Sequence, residues 1–307
     1  CNIYKLNSLV KYWKVMMKTL KPKTLYYEIS RHNSPVVTIQ SGETILVETE
    51  DAFSGQILTE NDRRDRRIVP YSNPQSGPIY VEGAQSGDTL AVHIESIKPT
   101  RGQAVTHTNN STGLVSEFLG IDPPHGTRIC KIKDGKIWWN ERLAIPYKPM
   151  IGTIGTAPDI GVPTTIPAGP HGGNMDIKEV MEGNTLYLPV FVDGALLHLG
   201  DAHAAQGDGE LCITGLEMAA SITITISLIK NKSISGPRIS SSQEIMTIAS
   251  GTPMERSIAQ AYSDLILWME EDYHIDRWVG WNLCTHVGTI SVGYYAFGTV
   301  ATKIRTE

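Results

Sequence analysis

The chain has 307 residues, of which 41% are hydrophobic and 19% are charged, and its net charge is -5. This composition excludes a largely disordered chain, and the acidic balance argues against a nucleic-acid partner, which usually meets a basic face. No stretch approaches the ~18 apolar residues of a membrane span, and no secretory signal peptide is recognisable. The sequence therefore predicts a cytoplasmic protein without a membrane partner.

Short segments between glycines and prolines predict a strand-rich fold with many turns. Residues 35–50 have the pattern of a strand, a Ser-Gly turn and a second strand, and residues 77–97 repeat that pattern. The clearest strand is SITITISLI, residues 221–229, in which isoleucine alternates with threonine or serine. Since alternate side chains of a strand face opposite sides, the isoleucines are predicted to point inward.

Residues 251–276 break this pattern and predict an amphipathic helix. Thr252 is the predicted N-cap, Pro253 the first helical residue, and Glu255 the partner of Thr252 in a capping box. Helical spacing then predicts a buried face of Ile258, Tyr262, Leu265 and Met269. Residues 276–298 predict a second helix that ends in a strand.

The four cysteines are far apart and form no CxxC pair, so unpaired structural thiols are expected rather than a disulfide framework or a zinc knuckle. They are Cys1, Cys130, Cys212 and Cys284.

The segment GDAHAAQGDGE, residues 200–210, collects acidic and imidazole side chains among very small residues: Asp201, His203, Asp208 and Glu210. Asp201 and His203 are two residues apart, so in an extended chain they point the same way, which suits a divalent cation. The segment is predicted to be a loop between two strands, the second beginning at Glu210. The alternative is a surface Asp-Gly turn whose carboxylates accept backbone N–H bonds.

A second segment, residues 150–176, is dense in glycine and proline and is predicted to be a rigid loop. It ends with His171, Asn174 and Asp176, which offer an imidazole, an amide and a carboxylate. Asn174 is suited to donating a hydrogen bond to a carbonyl oxygen that becomes an oxyanion. Alternatively, the loop is structural, and His171 and Asp176 satisfy backbone groups.

The remaining histidines and the absence of common catalytic motifs limit the reaction types that the sequence supports. His93 lies on the polar face of its predicted strand, where a ligand and a solvated residue are equally compatible. For each of the other histidines a surface or core role is favoured over a chemical one. GxSxG, HExxH, a Walker loop and a strand-linked GxGxxG are all missing, so among hydrolytic routes a water activated by a metal or a carboxylate is favoured.

At this point the sequence resembles the acetamidase/formamidase family. The resemblance is carried by GALLHLGDAHAAQGDGE, MIGTIGTAP, GPHGGNMD and LYLPV, and it extends from about residue 23 to the C-terminus. It implies a mainly β, sandwich-like fold of packed sheets in residues 23–307, with residues 1–22 as an N-terminal extension. It also implies hydrolysis of short aliphatic amides, a bound zinc or calcium ion, and assembly as homo-oligomers. The family pattern leads us to expect an acidic residue near Thr289, which this sequence lacks.

From the chemistry of the side chains, we expect Asp201 and His203, with His171 or Asp176, to hold a divalent cation. Zinc is expected rather than calcium.

Glu210, or the neighbouring Asp208, is expected to take a proton from water and pass it to the departing amine, while Asn174 binds the carbonyl oxygen. Two alternatives stay open. One is an amidase in which Glu210 or Glu217, assisted by a lysine, attacks the substrate as a nucleophile. The other is a non-enzymatic β-sandwich that binds calcium or a small molecule through oxygen ligands.

Overall fold

The computed structural model describes residues 17–21, 23–108, 115–121, 124 and 126–307. Strands dominate this part of the chain, and most of them are short. In chain order they are β1 (Lys18–Leu20), β2 (Val37–Ile39), β3 (Glu43–Thr49), β4 (Gln75–Val81), β5 (Thr89–Pro99), β6 (Gln103–Thr108), β7 (Gly126–Lys133), β8 (Lys136–Trp138), β9 (Ala144–Pro146), β10 (Met150–Gly155), β11 (Ala168–Gly169), β12 (Gly172–Asn174), β13 (Thr185–Pro189), β14 (Leu197–His203), β15 (Glu217–Met218), β16 (Ala220–Ile229), β17 (Arg238–Ser240), β18 (Glu244–Ala249), β19 (Thr289–Val292) and β20 (Val300–Arg305).

These strands form two large sheets. The first sheet has the order β1-β3-β16-β5-β13-β17-β18-β20-β19, and the second has the order β11-β12-β10-β14-β15-β6-β7-β8-β9. In the second sheet β4 also pairs with β14, and β2 pairs with β4. The main apolar core takes side chains from both sheets, such as Ile222 from the first and Ile151 from the second. The predicted mainly β fold of packed sheets is confirmed.

The period-two strands lie where the sequence predicts them. In β16, Ile222, Ile224 and Ile226 are fully buried, whereas Thr223 and Thr225 are half-buried. Both predicted strand–turn–strand segments connect the sheets instead of forming hairpins, because β2 and β4 belong to the second sheet and β3 and β5 to the first.

Two longer helices lie between β18 and β19, near the C-terminus, as predicted. The helices of the described residues are α1 (Val115–Leu119), α2 (Met254–Tyr273) and α3 (Arg277–Val287), and a 3-10 turn covers Tyr295–Phe297. α2 buries Leu265 and Met269, and α3 leads into β19 as expected. None of these helices combines the length and the apolar character needed to cross a bilayer.

The predicted capping box of α2 is wrong. The helix begins at Met254, and Pro253 occupies the N-cap position with an extended backbone (φ -74°, ψ 157°) and no side-chain cap. Thr252 is therefore one residue too far from the first helical amides to cap them. The Ser257 hydroxyl instead donates to the Gly251 carbonyl, which ties the first turn to the preceding segment.

Strand β1 lies within residues 1–22, the predicted extension, and pairs in parallel with β3. Residues 1–16, which include Cys1, lie outside the described part of the chain, as do residue 22 and His125. The cysteines that the structure describes, Cys130, Cys212 and Cys284, are free thiols, and the first and last of them are buried.

Candidate functional site

The first predicted loop is largely a buried strand. Asp201 and His203 form the end of β14, which is paired with β10 on one side and with β15 and β4 on the other. The strand predicted from Glu210 is also wrong, because Glu210 and Ile213 have φ values of 46° and 53° in the left-handed region. That backbone forms a turn, and pairing resumes only at β15.

The second predicted loop is also partly strand. β10 lies between β12 and β14, which sets Thr153 opposite Asn174 on one side and Gly200 on the other. Its glycines allow close strand packing: a Cβ on Gly155 would lie 2.7 Å from the His171 carbonyl oxygen. The glycine content thus reflects the close approach of three strands rather than an irregular loop.

These strands bring together four carboxylates and one imidazole: Asp176, Asp201, His203, Glu210 and Glu217. They form two groups that share His203, one with Asp176 and Glu210 and the other with Asp201 and Glu217. Within each group the candidate ligand atoms lie within 4.8 Å of one another. The five residues are only 1–8% exposed, so the charges are buried together and require compensation.

Several of the buried polar atoms have no hydrogen-bond partner among the described residues. They are both carboxylate oxygens of Asp176, Asp201 Oδ1, His203 Nε2 and Glu217 Oε2. His203 Nε2 lies 3.5 Å from Asp201 Oδ1 and 3.1 Å from Glu217 Oε2. Buried polar atoms of this kind are normally satisfied, and a set of carboxylate oxygens with one imidazole nitrogen fits a divalent cation.

Gln206 fixes the orientation of the histidine. Its Nε2 donates to the Asp176 carbonyl oxygen at 2.6 Å, so its Oε1 faces His203 Nδ1 at 2.8 Å. Because Oε1 accepts, Nδ1 carries the proton, and Nε2 is directed at the carboxylates. A metal-binding histidine is commonly oriented in this way by a hydrogen bond to its other ring nitrogen.

Asn174 has one end of its amide occupied and the other end available. Its Oδ1 accepts from Asn73 Nδ2 at 3.2 Å and from Thr153 Oγ1 at 2.5 Å. Asn73 and Thr153 also donate to Asp201 Oδ2, at 2.9 and 3.0 Å. Asn174 Nδ2 is thereby left as a donor at the wall of the cavity described next.

A cavity of about 210 Å³ opens onto the carboxylates. The described residues that line it include no lysine. They are Ala52, Phe53, Arg64, Arg66, Ser72, Asn73, His107, Ile166, Asn174, Asp176, Asp201, Glu210, Ile213, Thr214, Glu217 and Tyr294.

Three carboxylate residues of the cluster have a strained backbone. Asp176, Asp201 and Glu210 have φ values of 50°, 58° and 46°, which cost a non-glycine residue on the order of 1–3 kcal/mol each. Strain of this kind is typical of sites where the surrounding structure holds side chains for a function.

Two sequence-predicted site residues lie apart from the cluster. Asp208 is at the surface, where its carboxylate accepts a 2.6 Å bond from Lys178. His171 is buried, but it belongs to neither group of candidate ligands, and burial lowers its pKa to about 4. His171 lies in the turn between β11 and β12, whereas Asn174 is the last residue of β12, and Gly172 and Gly173 between them have φ values of 91° and 90°.

Several residues of the site are not indicated by the sequence pattern. The sequence suggests Glu217 only as an alternative nucleophile, and it gives no indication of Asn73, Thr153 or Tyr294. His93 lies away from the site, where its Nδ1 pairs with Thr185 Oγ1 at 3.0 Å. Thr153 reaches the site through the register of β10, which sets it opposite Asn174 in β12 and Gly200 in β14.

Burial dominates the electrostatics of the cluster. Burial, together with the charge on Asp201, raises the pKa of Asp176 and of Glu217 to about 7. Burial and the charge on Asp176 raise the pKa of Glu210 well above its usual value. Burial alone would lower the pKa of His203, but the carboxylates of Glu217 and Asp201 raise it well above 6.5.

In the absence of divalent ions, we expect the free energy of unfolding to fall as pH rises from about 5 to about 8. The acids with raised pKa values, and His203, bind more protons in the folded state than in the unfolded state over this range. Each such group can lower the stability by up to about 1.4 kcal/mol per pH unit. Urea unfolding of chelator-treated protein at several pH values measures this slope.

The matched variants Asp176→Asn and Glu217→Gln each remove one titrating carboxyl from this pH range. Each should therefore flatten the slope relative to the parent. A parent whose stability rises over this range, or variants with the parental slope, would contradict the assigned pKa shifts.

Comparison with known proteins identifies the family. The profile FmdA_AmdA, described as the Acetamidase/Formamidase family, matches residues 29–164 and 161–267. A solved acetamidase from Yersinia enterocolitica is 37% identical, with a TM-score of 0.84 over 92% of this chain and 89% of its own. A structure described as a predicted acetamidase/formamidase from the thermophile Thermoanaerobacter tengcongensis is 34% identical, with a TM-score of 0.87 over 94% of this chain and 96% of its own.

Among curated relatives, an acetamidase from Mycolicibacterium smegmatis is 30% identical over 63% of this chain and 63% of its own length. A formamidase from Methylophilus methylotrophus is 27% identical over 64% of this chain. The chain spans about three fifths of the length of the curated relatives that it matches. The profile match covers well over half of the chain, and the resemblance found in its motifs is confirmed. The chain belongs to the acetamidase/formamidase family.

Proposed function

We propose that this protein hydrolyses short linear amides, such as formamide and acetamide, to the carboxylate and ammonia. The observation that carries the proposal is the buried cluster of four carboxylates and one imidazole with unsatisfied ligand atoms. It opens onto a cavity beside an available amide donor, Asn174. The family to which the chain belongs supports the same reaction.

The residues that would hold a divalent cation are His203 with Asp201 and Glu217 on one side, or with Asp176 on the other, since each of these carboxylates has a ligand atom within 4.8 Å of a ring nitrogen of His203. Zinc is proposed before calcium, since the donor set includes an imidazole nitrogen and calcium prefers oxygen ligands alone. When bound, such a cation lowers the pKa of a water molecule toward about 7 and polarises a carbonyl group.

Asn174 is the proposed donor to the carbonyl oxygen of the amide. Its Oδ1 already accepts from Asn73 and Thr153, so its Nδ2–H is held toward the cavity before the substrate arrives. A donor fixed in advance stabilises the developing oxyanion without reorganising during the reaction, and loss of one such donor typically costs 10²–10³-fold in rate.

Glu210 is the proposed proton carrier, with Asp208 set aside because it is paired with Lys178 at the surface. A group that takes a proton from water and returns it to the leaving nitrogen works best with a pKa near the operating pH. Burial raises the pKa of Glu210 in that direction. Its carboxyl lies within 4.8 Å of Asp176 and His203 ligand atoms and lines the cavity.

Two observations favour this proposal over the alternatives. A carboxylate nucleophile assisted by lysine would need a lysine at the cavity, and the described lining residues include none. A structural calcium site would be closed and built of oxygen ligands, whereas this cluster contains His203 and opens onto a cavity.

The direct test is ammonia release from formamide, acetamide, propionamide and urea, together with metal analysis of the purified protein. We expect turnover of the short amides, with a drop of about 10²-fold or more after chelation and recovery on adding zinc, because several kcal/mol of charge stabilisation are lost. Full activity of metal-free protein would favour a carboxylate nucleophile. No turnover of any amide would contradict the proposed function.

We further propose a homo-oligomer that works in the cytoplasm. α3 exposes Trp278, Val279, Trp281 and Val287, each more than half accessible, and an apolar patch of this kind is typical of a subunit interface. Free thiols at the described cysteines support a reducing compartment. Sedimentation velocity measures the oligomeric state.

A further inference from the structure

The outer part of the cavity is basic, although its inner part is acidic. Arg64 and Arg66 line the same cavity as the carboxylate cluster. Both arginines, with Phe53 and His107, also line a neighbouring cavity of about 250 Å³, so the two spaces adjoin at these side chains. One end of a molecule in this cleft therefore meets buried acids, and the other end meets two guanidinium groups.

Two nearby acidic residues, Asp62 and Asp65, do not pair with Arg64 or Arg66. The carboxylate of Asp62 accepts from the backbone N–H groups of Leu58 and Thr59. The carboxylate of Asp65 is bound by Arg67 at 2.8 Å. Within the described part of the chain, neither Arg64 nor Arg66 forms an ion pair with a carboxylate. Their positive charge is left for a ligand.

Arg64 is held in place with N–H groups to spare. It donates to Ser72 Oγ at 2.6 Å and to the Val69 carbonyl oxygen at 3.5 Å, and its buried Nε has no partner. Since each terminal nitrogen of a guanidinium carries two N–H donors, Nη1 and Nη2 each keep one donor for a ligand. Burial, followed by repulsion from Arg66, lowers the pKa of Arg64, as expected for two like charges without a counterion.

We propose that Arg64 and Arg66 bind a carboxylate at the end of the substrate remote from the amide. The preferred substrate would then be the monoamide of a short dicarboxylic acid. This inference rests on the proposed function. The buried acids repel an anion and leave the inner position to the neutral amide, while the arginines attract the anion outside, so the charges orient the substrate. Phe53, Ile166 and Ile213 supply apolar wall for the methylene groups between them.

The reaction balances without a further reactant. Water adds to the amide carbonyl, the C–N bond breaks, and one proton from water goes to the leaving nitrogen to form ammonia. The second proton leaves the new carboxyl group and is taken up by ammonia, so the products are ammonium and a dicarboxylate.

The test compares kcat/KM for ammonia release from the monoamide of succinic acid and from valeramide, a neutral amide of similar length. The parent should prefer the anionic amide by at least about 10-fold. Arg64→Met and Arg66→Met should each lower the ratio of the two kcat/KM values by roughly 10- to 100-fold, the range for a lost charge-assisted hydrogen bond. Arg67→Met is the matched control, because its guanidinium is paired with Asp65 and 91% exposed, and it should keep the parental ratio.

A binding measurement tests the anion subsite separately from amide hydrolysis. Titration calorimetry with butyrate, which has a carboxylate at one end only, should give binding to the parent that both Met variants weaken by a similar factor. Equal kcat/KM for the two amides, or variants that slow both amides equally, would overturn the anion subsite. No ammonia from either amide would contradict the proposed function, whereas butyrate binding that depends on both arginines would still support the subsite.

Discussion

Replacing Glu210 with glutamine should lower kcat for amide hydrolysis roughly 10²- to 10⁴-fold, the range for loss of a group that transfers a proton. Glutamine keeps the shape of the side chain and its place among buried polar groups, but it cannot take up or release a proton at neutral pH. The substitution therefore isolates proton transfer from packing. Initial rates of ammonia release at saturating acetamide give kcat directly.

Asp208→Asn is the matched control, because it makes the same chemical change two residues away. Asp208 is at the surface and paired with Lys178, so the variant should stay close to the parental kcat. Metal content separates a proton carrier from a ligand: Glu210→Gln should keep the parental content. Loss of the cation together with activity would instead assign Glu210 as a ligand, and parental activity would exclude both roles.

The sequence was most informative where one residue and its immediate neighbours decide the structure. Alternation in β16 predicted which side chains are buried, because strand pleating is local. The gathering of Asp201, His203, Glu210 and Asp176 near one another was also predicted, from their density among very small residues. Small neighbouring residues indicate that backbone segments approach one another closely. Whether such a segment is a loop or a paired strand depends on residues that are distant in the sequence.

The rest of the site could not be predicted because it depends on strand pairing. Glu217 reaches His203 through the pairing of β15 with β14, a register that its own surroundings do not specify. Asn73 comes from a segment more than 100 residues before Asp201, and Tyr294 comes from a segment near the C-terminus. His171 was predicted to be a ligand, but it lies in the turn between β11 and β12, followed by Gly172 and Gly173 with φ values of 91° and 90°.

Gly152 lies against two carboxylates of the cluster, and Gly152→Ala should lower kcat/KM by about 10²-fold or more. A Cβ there would lie 2.5 Å from Asp176 Oδ1 and 2.8 Å from Asp201 Oδ2. Both distances are far below the 3.5–4.0 Å of a favourable contact, so the carboxylates must move. Displacing positioning groups by about 1 Å can cost 10²-fold in rate.

The neighbouring chain has little room to absorb the added methyl group. The same Cβ would lie 2.9 Å from the carbonyl oxygen of Asp201, which is held in β14 against β10. We expect a loss of stability of about 1–3 kcal/mol, typical of overpacking, and reduced metal content in a protein that still folds. Thermal unfolding and metal analysis accompany the rate measurement.

Gly207→Ala is the control for adding one methyl group close to the site. No atom lies within 4 Å of the added Cβ, and the backbone there is outside the left-handed region, so activity and stability should match the parent. If Gly152→Ala fails to fold, Thr153→Val tests the same carboxylate, because it removes the hydroxyl that donates to Asp201 Oδ2 and Asn174 Oδ1 at nearly constant volume. A folded Gly152→Ala protein with parental activity and metal content would mean that the reaction does not depend on where these two carboxylates stand.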